Sequence, residues 1–346
     1  MPNTGDSSSR ALRRMPAEWE PQEAMWLSLP HRKGLSYPGA HWDRVYPEYL
    51  AFLHALAESG AVYLNVSSEA EEERIRRDIA ESLQDQVRCF PIPTDEPWCR
   101  DHGATFVLED DKEMLAIDWD YNAWGGKYEP YEKDAAAART MAESRGIPCE
   151  RPGIVLEGGA LETNGSGHLL TTASCLLDPN RNLGRSREEI EIVLTRCLGV
   201  DTISWLEGSI PGDDTEGHID TLARFVSPEV IVSAVSPQEL VGGESVLDGV
   251  EILPLPTPAP LSWKGNPLPA SYANFVIANR SVIVPAYGGD SDDRARAMLQ
   301  EHFPDREVRL LSSRELIFGL GSFHCLTQQL PAEQVGKDEG RDDSGV

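Results

Sequence analysis

The sequence predicts an α/β fold in which one unit, made of a helix, a strand and a β-hairpin, is repeated. Asn164-Gly165 and Ser227-Pro228-Glu229 each separate two apolar segments, as expected for the turn of a hairpin. Four such pairs of segments occur along the chain: ATFVLED with MLAIDWDY, GALET with HLLTTA, TLARFV with VIVSAV, and YANFVIA with SVIVPAY. Helical patterns lie between them, so the unit recurs four or five times, unlike a βαβ parallel array or an all-β sandwich.

The helices between the hairpins are predicted from apolar residues that recur at helical spacing. This spacing predicts helices over 69–85, 132–145 and 186–199. A further helix is predicted over 291–302, because its first residues are serine and aspartate, which favour the N-terminal cap.

The 346 residues are predicted to form a single domain over 15–331. Length alone would also allow two domains of ordinary size, but no low-complexity linker divides the chain. Residues 1–14 and 332–346 are polar and contain no aromatic residue, and the second segment is acidic. Both are therefore predicted to be disordered tails.

Membrane and secretion signals are not visible in the sequence. No segment approaches the ~20 consecutive apolar residues of a membrane span, and residues 1–14 lack the apolar stretch of a secretory signal. The six cysteines are scattered, without the Cys-x-x-Cys spacing of metal sites. We therefore expect a cytoplasmic protein whose cysteines are free thiols.

The chain is strongly acidic, with 57 acidic against 31 basic residues and a formal net charge of −26. This charge opposes binding to nucleic acid or to an anionic membrane and favours a small cationic partner. Attraction of a cationic substrate would need only a few local carboxylates. Most of the charge is therefore interpreted as a means of solubility, in a salt-rich cytoplasm or otherwise.

Four glycine-containing segments carry residues that are unusual in strands. They lie at 94–106, 155–163, 212–225 and 319–329, each where a hairpin or the last element begins. Their unusual residues are Asp101, Glu157, His218, Asp220 and Cys325. Any one segment alone would be interpreted as a polar turn. Because all four occur at the same phase of a repeat, a cyclic arrangement would bring them to a common centre.

These residue types together indicate chemistry on a guanidinium group. Two carboxylates can bind the planar fork of N–H donors, and a cysteine with a histidine supplies a nucleophile and a proton carrier. A further acid can orient the imidazole. The competing interpretation is a metal site at His218-Ile219-Asp220. No other histidine or cysteine has zinc-ligand spacing, so no metal and no cofactor are expected.

The sequence resembles the agmatine deiminase and bacterial peptidylarginine deiminase family of the guanidine-modifying superfamily. The resemblance extends from MPAEWEPQEAMWLSLP at 15–30 to HCLTQQLP at 324–331. The matching blocks are Trp98-Cys99-Arg100-Asp101, Leu156-Glu157-Gly158-Gly159, LLTTASCLLDPNRN at 169–182, Gly217-His218-Ile219-Asp220, SYANFVIAN at 271–279 and His324-Cys325.

The resemblance implies a five-bladed pseudo-symmetric α/β-propeller, the pentein fold, built from ββαβ repeats around a central active site. Residues 15–331 would then be one catalytic deiminase domain. The activity it implies is that of a hydrolase acting on C–N bonds in linear amidines. Agmatine is the first expected substrate, with N-carbamoylputrescine and ammonia as products in putrescine and polyamine synthesis.

The resemblance also assigns roles to the five residues of the four segments. Cys325 would be the nucleophile, His218 the general acid and base, and Glu157 the support of the histidine. Asp101 and Asp220 would bind the guanidinium. Since neighbouring carboxylates raise the pKa of a thiol, the empty site is expected to hold a neutral Cys325 thiol that a bound guanidinium converts to thiolate.

Three more residues are expected to contact the substrate. Trp98 matches a family residue that packs along the aliphatic part. The acidic run that contains Asp214 and Glu216 suits a terminal amine, although a solvated turn is the alternative interpretation.

Other functions stay open at the level of sequence. They are deimination of peptidylarginine or free arginine, transfer of the amidino group to an amine, and binding of guanidino compounds without catalysis. A homo-oligomer is also compatible with the sequence.

The chain departs from the family pattern at five positions near the expected entrance of the site. They are Glu96, Pro97, Ala104, Leu320 and Ser322. These departures leave the five expected catalytic residues in place and bear on which guanidino compound is bound.

Overall fold

The structure, a computed structural model, describes residues 12–241, 247 and 249–333. Its strands are β1 Arg13–Arg14, β2 Gln22–Ser28, β3 Ala61–Asn65, β4 Val87–Phe90, β5 Thr105–Glu109, β6 Glu113–Ile117, β7 Cys149–Glu150, β8 Glu162–Thr163, β9 His168–Thr172, β10 Thr202–Leu206, β11 Ala223–Ser227, β12 Val230–Ser233, β13 Glu251–Pro254, β14 Ser262–Trp263, β15 Asn266–Pro267, β16 Val276–Ile277, β17 Ser281–Ala286, β18 Glu307–Ser312 and β19 Thr327–Pro331.

The helices range from single turns to 19 residues. They are α1 His41–Ser59, α2 Glu69–Asp78, α3 Cys99–His102, α4 Ala123–Gly126, α5 Glu132–Arg145, α6 Ala173–Leu176, α7 Pro179–Asn182, α8 Arg187–Leu198, α9 Ile219–Leu222, α10 Pro237–Val241 and α11 Asp290–His302.

All four predicted hairpins are present, and each belongs to its own sheet. The antiparallel pairs are β5 with β6, β8 with β9, β11 with β12, and β16 with β17. A parallel strand extends each pair: β7, β10, β13 and β18, respectively. These parallel strands follow the crossover connections, which return the chain to the same sheet in the parallel sense.

A further sheet joins the two ends of the described chain. Its strand order is β19-β2-β3-β4, with β19 antiparallel to β2 and the remaining pairs parallel. The strand β2 is buried along most of its length, with Trp26 and Leu27 fully enclosed. The segment before α1 and the segment after Cys325 are therefore held in one sheet.

Three of the predicted helices are found close to their expected bounds. They are α5, α8 and α11, and α8 begins with a capping box in which Ser186 and Glu189 bond each other's backbone N–H. The helix predicted over 69–85 is interrupted. Ile79 adopts an extended conformation after α2, and residues 81–86 form a separate 3-10 helix.

The longest helix, α1, was not among the predicted elements. Its buried residues Trp42, Val45, Tyr49 and Phe52 follow helical spacing. Pro47 lies inside the helix and interrupts the pattern in the sequence.

The predicted N-terminal tail is too long by at least two residues. Arg13 and Arg14 form β1, which pairs with Glu109 and Leu108 of β5. The Arg13 side chain also contacts Glu109 at 2.9 Å, so its charge is matched at this sheet edge. Residues 1–11 of that tail, and 334–346 of the predicted C-terminal tail, lie outside the described residues.

No helix within the described ranges is long and apolar enough to cross a membrane.

Candidate active site

The polar segments predicted from sequence all lie immediately before the first strand of a hairpin or before β19. Asp101 is on α3, which precedes β5, and Glu157 precedes the short 3-10 turn before β8. His218 caps α9, which carries Asp220 and precedes β11. Cys325 lies directly before β19. The structure thus brings together the five residues that the sequence singled out, although they are up to 224 positions apart in the chain.

The Cys325 thiol is buried and surrounded by polar groups. Asn274 Nδ2 lies 3.1 Å from its sulfur, and the sulfur lies 3.5 Å from Asp220 Oδ2. Burial, followed by the charges of Asp220 and Asp101, raises the pKa of this thiol well above its ordinary value. Without a bound cation, Cys325 is therefore a neutral thiol at neutral pH.

The carboxylate of Asp220 uses its two oxygens differently. Oδ2 accepts hydrogen bonds from His324 Nδ1 at 2.7 Å and Asn274 Nδ2 at 3.3 Å. Oδ1 is buried and has no hydrogen-bond partner among the described residues. Burial alone would raise the pKa of Asp220, but the bond to His324 and nearby positive charges hold it below its ordinary value. A fixed anion thus has one oxygen available to a ligand.

Asp101 receives two neutral donors. The backbone N–H of Gly159 lies 3.1 Å from its Oδ1, and the indole Nε1 of Trp124 lies 3.1 Å from its Oδ2. Burial raises the pKa of Asp101 to about 6, because the attraction of His218 only partly offsets burial and the repulsion of Asp220 and Glu157.

His218 lies between two carboxylates without a close hydrogen bond to either. Its Nδ1 is 3.6 Å from Asp101 Oδ1 and its Nε2 is 3.6 Å from Glu157 Oε2. Both ring nitrogens are buried and lack a hydrogen-bond partner among the described side chains. Burial lowers the pKa of His218, but the charge of Asp101 and the contacts to Cys175 and Glu157 raise it well above the ordinary value. The ring is therefore a proton donor at neutral pH.

Glu157 is held by a buried arginine. Arg181 Nε lies 3.0 Å and 2.9 Å from its two carboxylate oxygens. Burial opposes ionisation of Glu157, but His218 and Arg181 outweigh it and lower its pKa. Arg181 also donates to Glu216 Oε2 at 3.1 Å and to the carbonyl of Thr215 at 3.0 Å. The carboxylate that faces His218 is thus fixed to the loop before α9.

A cavity of about 140 Å³ reaches Cys325 and Asp101. Aromatic side chains form much of its wall: Trp98, Trp124, Tyr128 and Phe318. Trp98 lies against Gly321, where a β-carbon would come within 2.5 Å of the indole ring. A narrow aromatic wall of this kind suits an aliphatic chain that ends in a planar cation.

The two acidic residues that were expected to bind an amine differ in their position relative to the cavity. Asp214 lines the cavity, whereas Glu216 is not part of its wall. Asp214 accepts a hydrogen bond from the Tyr128 hydroxyl, and its Oδ1 lies 3.1 Å from Lys127 Nζ. Glu216 is bound by Lys127 and Arg181. The amine-binding role stays a prediction, and the geometry favours Asp214 for it.

The departures from the family pattern fall into two groups. Glu96 and Leu320 line the cavity, and Leu320 adopts a left-handed backbone with φ of +68°. Ser322, Ala104 and Pro97 are buried outside its wall, with the hydroxyl of Ser322 2.7 Å from that of Ser313. The first group can therefore alter which substrate is bound.

One group of side chains could in principle hold a metal. Ligand atoms of Glu157, Cys175 and His218 lie within 4.8 Å of one another. However, the Arg181 guanidinium already contacts both oxygens of Glu157, and its positive charge opposes a second cation there. The absence of a metal from the function stays a prediction.

Sequence reasoning missed several residues of the site. Asn274 contacts Cys325 and lies on the 3-10 turn before β16, the same phase of the repeat as the predicted residues. That phase, applied to the fourth hairpin, would have identified it. His324 and Arg181 are also in the matching blocks, but only the structure shows that they contact Asp220 and Glu157.

Comparison with known proteins identifies relatives that are described as deiminases. A family model described as Porphyromonas-type peptidyl-arginine deiminase matches residues 14–331. Agmatine deiminase of Ectopseudomonas mendocina is 36% identical, over 92% of this chain and 96% of its own. A solved structure of C. jejuni agmatine deiminase with substrate bound, a cysteine-to-serine variant, is 30% identical with a TM-score of 0.84, over 96% of this chain and 99% of its own. Agmatine deiminase of Enterococcus faecalis has a TM-score of 0.81 at 29% identity, over 93% and 96% of the two chains.

The fold, the buried thiol and these relatives define a class, the hydrolases that act on carbon–nitrogen bonds. The fold is the α/β pentein fold of the solved neighbours. The chain belongs to the Porphyromonas-type peptidyl-arginine deiminase family. The resemblance seen in the sequence is therefore confirmed.

Proposed function

We propose that this protein is an agmatine deiminase that converts agmatine and water to N-carbamoylputrescine and ammonia. One observation supports this most directly. The Cys325 sulfur lies beside Asp220, whose Oδ1 is buried and has no partner, while His218 offers unpaired ring nitrogens beside Asp101. An anion, a nucleophile and a proton donor are thus available to one planar cation.

In the first step, the guanidinium binds to Asp101 and to the free oxygen of Asp220. Its charge offsets the two carboxylates that raise the pKa of Cys325, so the thiol loses its proton to solvent water as the substrate binds. The thiolate then attacks the central guanidinium carbon. The aliphatic part of the substrate would lie along Trp98, with its ammonium toward Asp214.

In the second step, His218 donates a proton to the departing nitrogen and ammonia leaves, so that an amidino-thioether on Cys325 is formed. His218 is then neutral and accepts a proton from a water molecule that attacks the same carbon. Collapse of this adduct breaks the carbon–sulfur bond and releases the neutral ureido product. The hydroxyl proton of the adduct passes to the departing sulfur, so Cys325 returns to the neutral thiol and His218 is again protonated. Glu157, fixed by Arg181, keeps the imidazole oriented through both steps.

The mouth of the cavity favours an amine over a carboxylate. Free arginine would need a cation for its α-carboxylate, and no lysine, arginine or histidine is among the described residues that line the cavity. Lys127 contacts Asp214 at 3.1 Å and also Glu216. Arg181 binds Glu216 and Glu157, so two cations face three carboxylates. The remaining negative charge suits the ammonium of agmatine.

We also propose an architecture, a cellular location and a range of oligomeric states for the protein. The four hairpin sheets and the sheet of β19 and β2 would be the five blades of a pseudo-symmetric propeller, with residues 15–331 as one catalytic domain. All six cysteines are free thiols, which supports a reducing cytoplasm. The site is compatible with a monomer or a homo-oligomer.

The test is to incubate the pure protein separately with agmatine, free arginine and a blocked arginyl peptide, and to measure ammonia and ureido product. We expect agmatine to react with the highest kcat/KM. The Cys325→Ser variant should release no ammonia, whereas Cys149→Ser, at an exposed cysteine, serves as the matched control.

Two outcomes would contradict the proposal. Faster turnover of arginine or of the peptide would assign a different substrate. Release of ammonia only after an amine acceptor is added would indicate an amidinotransferase.

A further inference from the structure

His324 lies between two buried carboxylates. Its Nδ1 is 2.7 Å from Asp220 Oδ2, and its Nε2 is 3.0 Å from Glu18 Oε2. All three side chains are almost completely enclosed. The ring adjoins Cys325 in sequence, and both of its nitrogens bond carboxylates, so it takes no part in the proton transfers proposed for His218.

The charges around Glu18 and Asp220 determine what His324 can donate. Arg224 bonds Glu18 Oε2, and Arg100 lies 3.8 Å from the same oxygen. These charges and that of His324 outweigh burial and lower the pKa of Glu18. The pKa of Asp220 is lowered too. Both carboxyl groups are therefore anions, and anions only accept hydrogen bonds.

We propose that His324 is an imidazolium that positions Asp220 for binding the guanidinium. Both ring nitrogens face anionic oxygens, so both must donate, and a ring with two N–H donors carries a positive charge. Glu18 fixes the far side of the ring. His324 is thus a positioning residue that acts on the substrate through Asp220.

The hydrogen bond from His324 makes the two carboxylate oxygens of Asp220 different. Oδ2 is occupied by His324, Asn274 and the Cys325 thiol, while Oδ1 stays without a partner. Three donors on one oxygen prevent the carboxylate from rotating. Oδ1 is therefore presented in a single direction before the substrate arrives, which is the pre-organisation that binding requires.

Glu18, which fixes the far side of the His324 ring, lies near the opposite end of the chain from His324. Glu18 precedes β2, and its Oε1 accepts a hydrogen bond from the backbone N–H of Ile277 at 2.6 Å. Arg224, fully buried on β11, joins Glu18 to Glu162 at 2.8 Å. The ionic groups that face His324 are thus Asp220 and Glu18, with Arg100, Arg224 and Glu162 beyond them.

The first test observes the ring itself and needs no substrate. The protein is labelled with ¹⁵N-histidine and its imidazole resonances are recorded between pH 6 and 8. We expect two histidines, His218 and His324, with both nitrogens protonated, and loss of one of these two signals in His324→Gln. The control is His168→Gln, since Nε2 of the His168 ring bonds a neutral hydroxyl, that of Ser204, and not a carboxylate. If the His324 variant does not fold, Glu18→Gln should identify the same resonance by shifting it.

The second test rests on the proposed function and uses two variants with complementary geometry. In His324→Asn, the amide nitrogen takes the place of Nδ1 and can still donate to Asp220. In His324→Gln, the longer amide takes the place of Nε2 and reaches Glu18. Loss of a charged hydrogen bond weakens binding roughly ten- to hundredfold. We expect an increase in KM for agmatine of this size in His324→Gln, a smaller one in His324→Asn, and less change in kcat.

The two tests distinguish failure of the inference from failure of the proposed function. A neutral His324 ring in the ¹⁵N spectrum, or equal KM values in the two variants, would overturn the positioning role. Absence of ammonia release by the wild-type protein would remove the agmatine assignment but leave the ¹⁵N result to decide the charge of His324.

Discussion

The two carboxylates beside Cys325 differ because their hydrogen-bond donors differ. Asp220 accepts from His324, which we infer to be cationic, whereas Asp101 accepts from the backbone of Gly159 and the indole of Trp124. A neutral donor offsets less of the cost of burying a charge. Asp101 is accordingly the carboxyl whose pKa rises, to about 6.

We predict that kcat/KM for agmatine falls as the pH decreases through about 6. Only the ionised form of Asp101 binds a cation, and its pKa of about 6 sets the pH at which that form is lost. In Trp124→Phe, which loses the indole donor, the acidic limb should move up by at most about one pH unit. A pH–rate profile of both proteins measures this. An acidic limb near the ordinary aspartate range would show that Asp101 is not the controlling group.

We also predict that Asp101→Asn and Asp220→Asn change stability in opposite directions at pH 7.5. The pKa of Asp101 is raised from 3.8 to about 6, so its ionised form opposes folding, and this cost appears as the pH rises through 4 to 6. The pKa of Asp220 is lowered, so its ionised form stabilises the fold, and this contribution is lost as the pH falls through the lowered value. Neutralising Asp101 should thus increase the free energy of unfolding by about 1–2 kcal/mol, after a lost hydrogen bond is deducted.

The measurement is urea unfolding of both variants at pH 7.5 and pH 4. At pH 4 the gain from Asp101→Asn should largely disappear, because Asp101 is then protonated in the folded wild-type protein. Equal destabilisation by the two substitutions at pH 7.5 would contradict the assigned charges. Both variants should lose most of their activity, whichever way their stability changes.

At the scale of elements, the turn α4 has an unusual backbone. Ala123, Trp124, Gly125 and Gly126 have φ values of +53°, +55°, +83° and +78°. A left-handed conformation costs about 1–2 kcal/mol for each residue with a side chain. The turn places Trp124 against Asp101 and carries the chain on to Tyr128, so both side chains line the cavity. The strain thus occurs where the substrate would bind.

We predict different effects of alanine at the two glycines of this turn. A β-carbon on Gly125 would lie 3.0 Å from the β-carbon of Asn180, whereas one on Gly126 would meet nothing within 4 Å. Gly126→Ala should therefore cost only the backbone strain, ~1 kcal/mol, and leave KM close to the wild-type value. Gly125→Ala should cost ~2–3 kcal/mol and raise KM, because the turn must shift and move Trp124.

Thermal unfolding and steady-state kinetics with agmatine measure both effects. Equal changes in the two variants would show that the contact with Asn180 does not hold the turn in place.

The hairpins could be predicted from sequence because each combines two apolar strands with a local turn. The strands that complete the sheets could not: β7 has two residues, and pairing with β6 depends on a crossover through α5. The site was predictable where a residue type itself indicates chemistry, as for Cys325. Asn274 and His324 are ordinary polar residues in sequence, and their roles depend on distances to Cys325 and Asp220.

At the scale of the whole molecule, acidic residues exceed basic residues by far. The chain has 57 acidic and 31 basic residues, and only six of the basic residues are lysines. Many arginines are already used in ion pairs, such as Arg32 with Asp43 and Arg309 with Glu58. Most remaining carboxylates therefore repel one another, and this repulsion opposes the compact state.

We predict that sodium chloride raises the thermal midpoint of unfolding. Between about 10 mM and 1 M salt the Debye length falls from ~30 Å to ~3 Å, which screens repulsion across the surface. The same salt weakens exposed ion pairs, but each contributes only ~0–1 kcal/mol, and the net charge of −26 outweighs them. KM for agmatine should change little, because Asp101 and Asp220 are buried and screened less.

Thermal scans and agmatine kinetics across the same chloride series distinguish repulsion among surface carboxylates from attraction of the cationic substrate as the main effect of the negative charge. Chloride is used because sulfate also strengthens burial of apolar surface and would raise the midpoint in most proteins. A falling midpoint would mean that ion pairs outweigh the net repulsion. A constant midpoint with a steep rise in KM would mean that the negative charge serves to attract the cationic substrate, and surface carboxylates rather than the buried pair would then determine the rate of encounter.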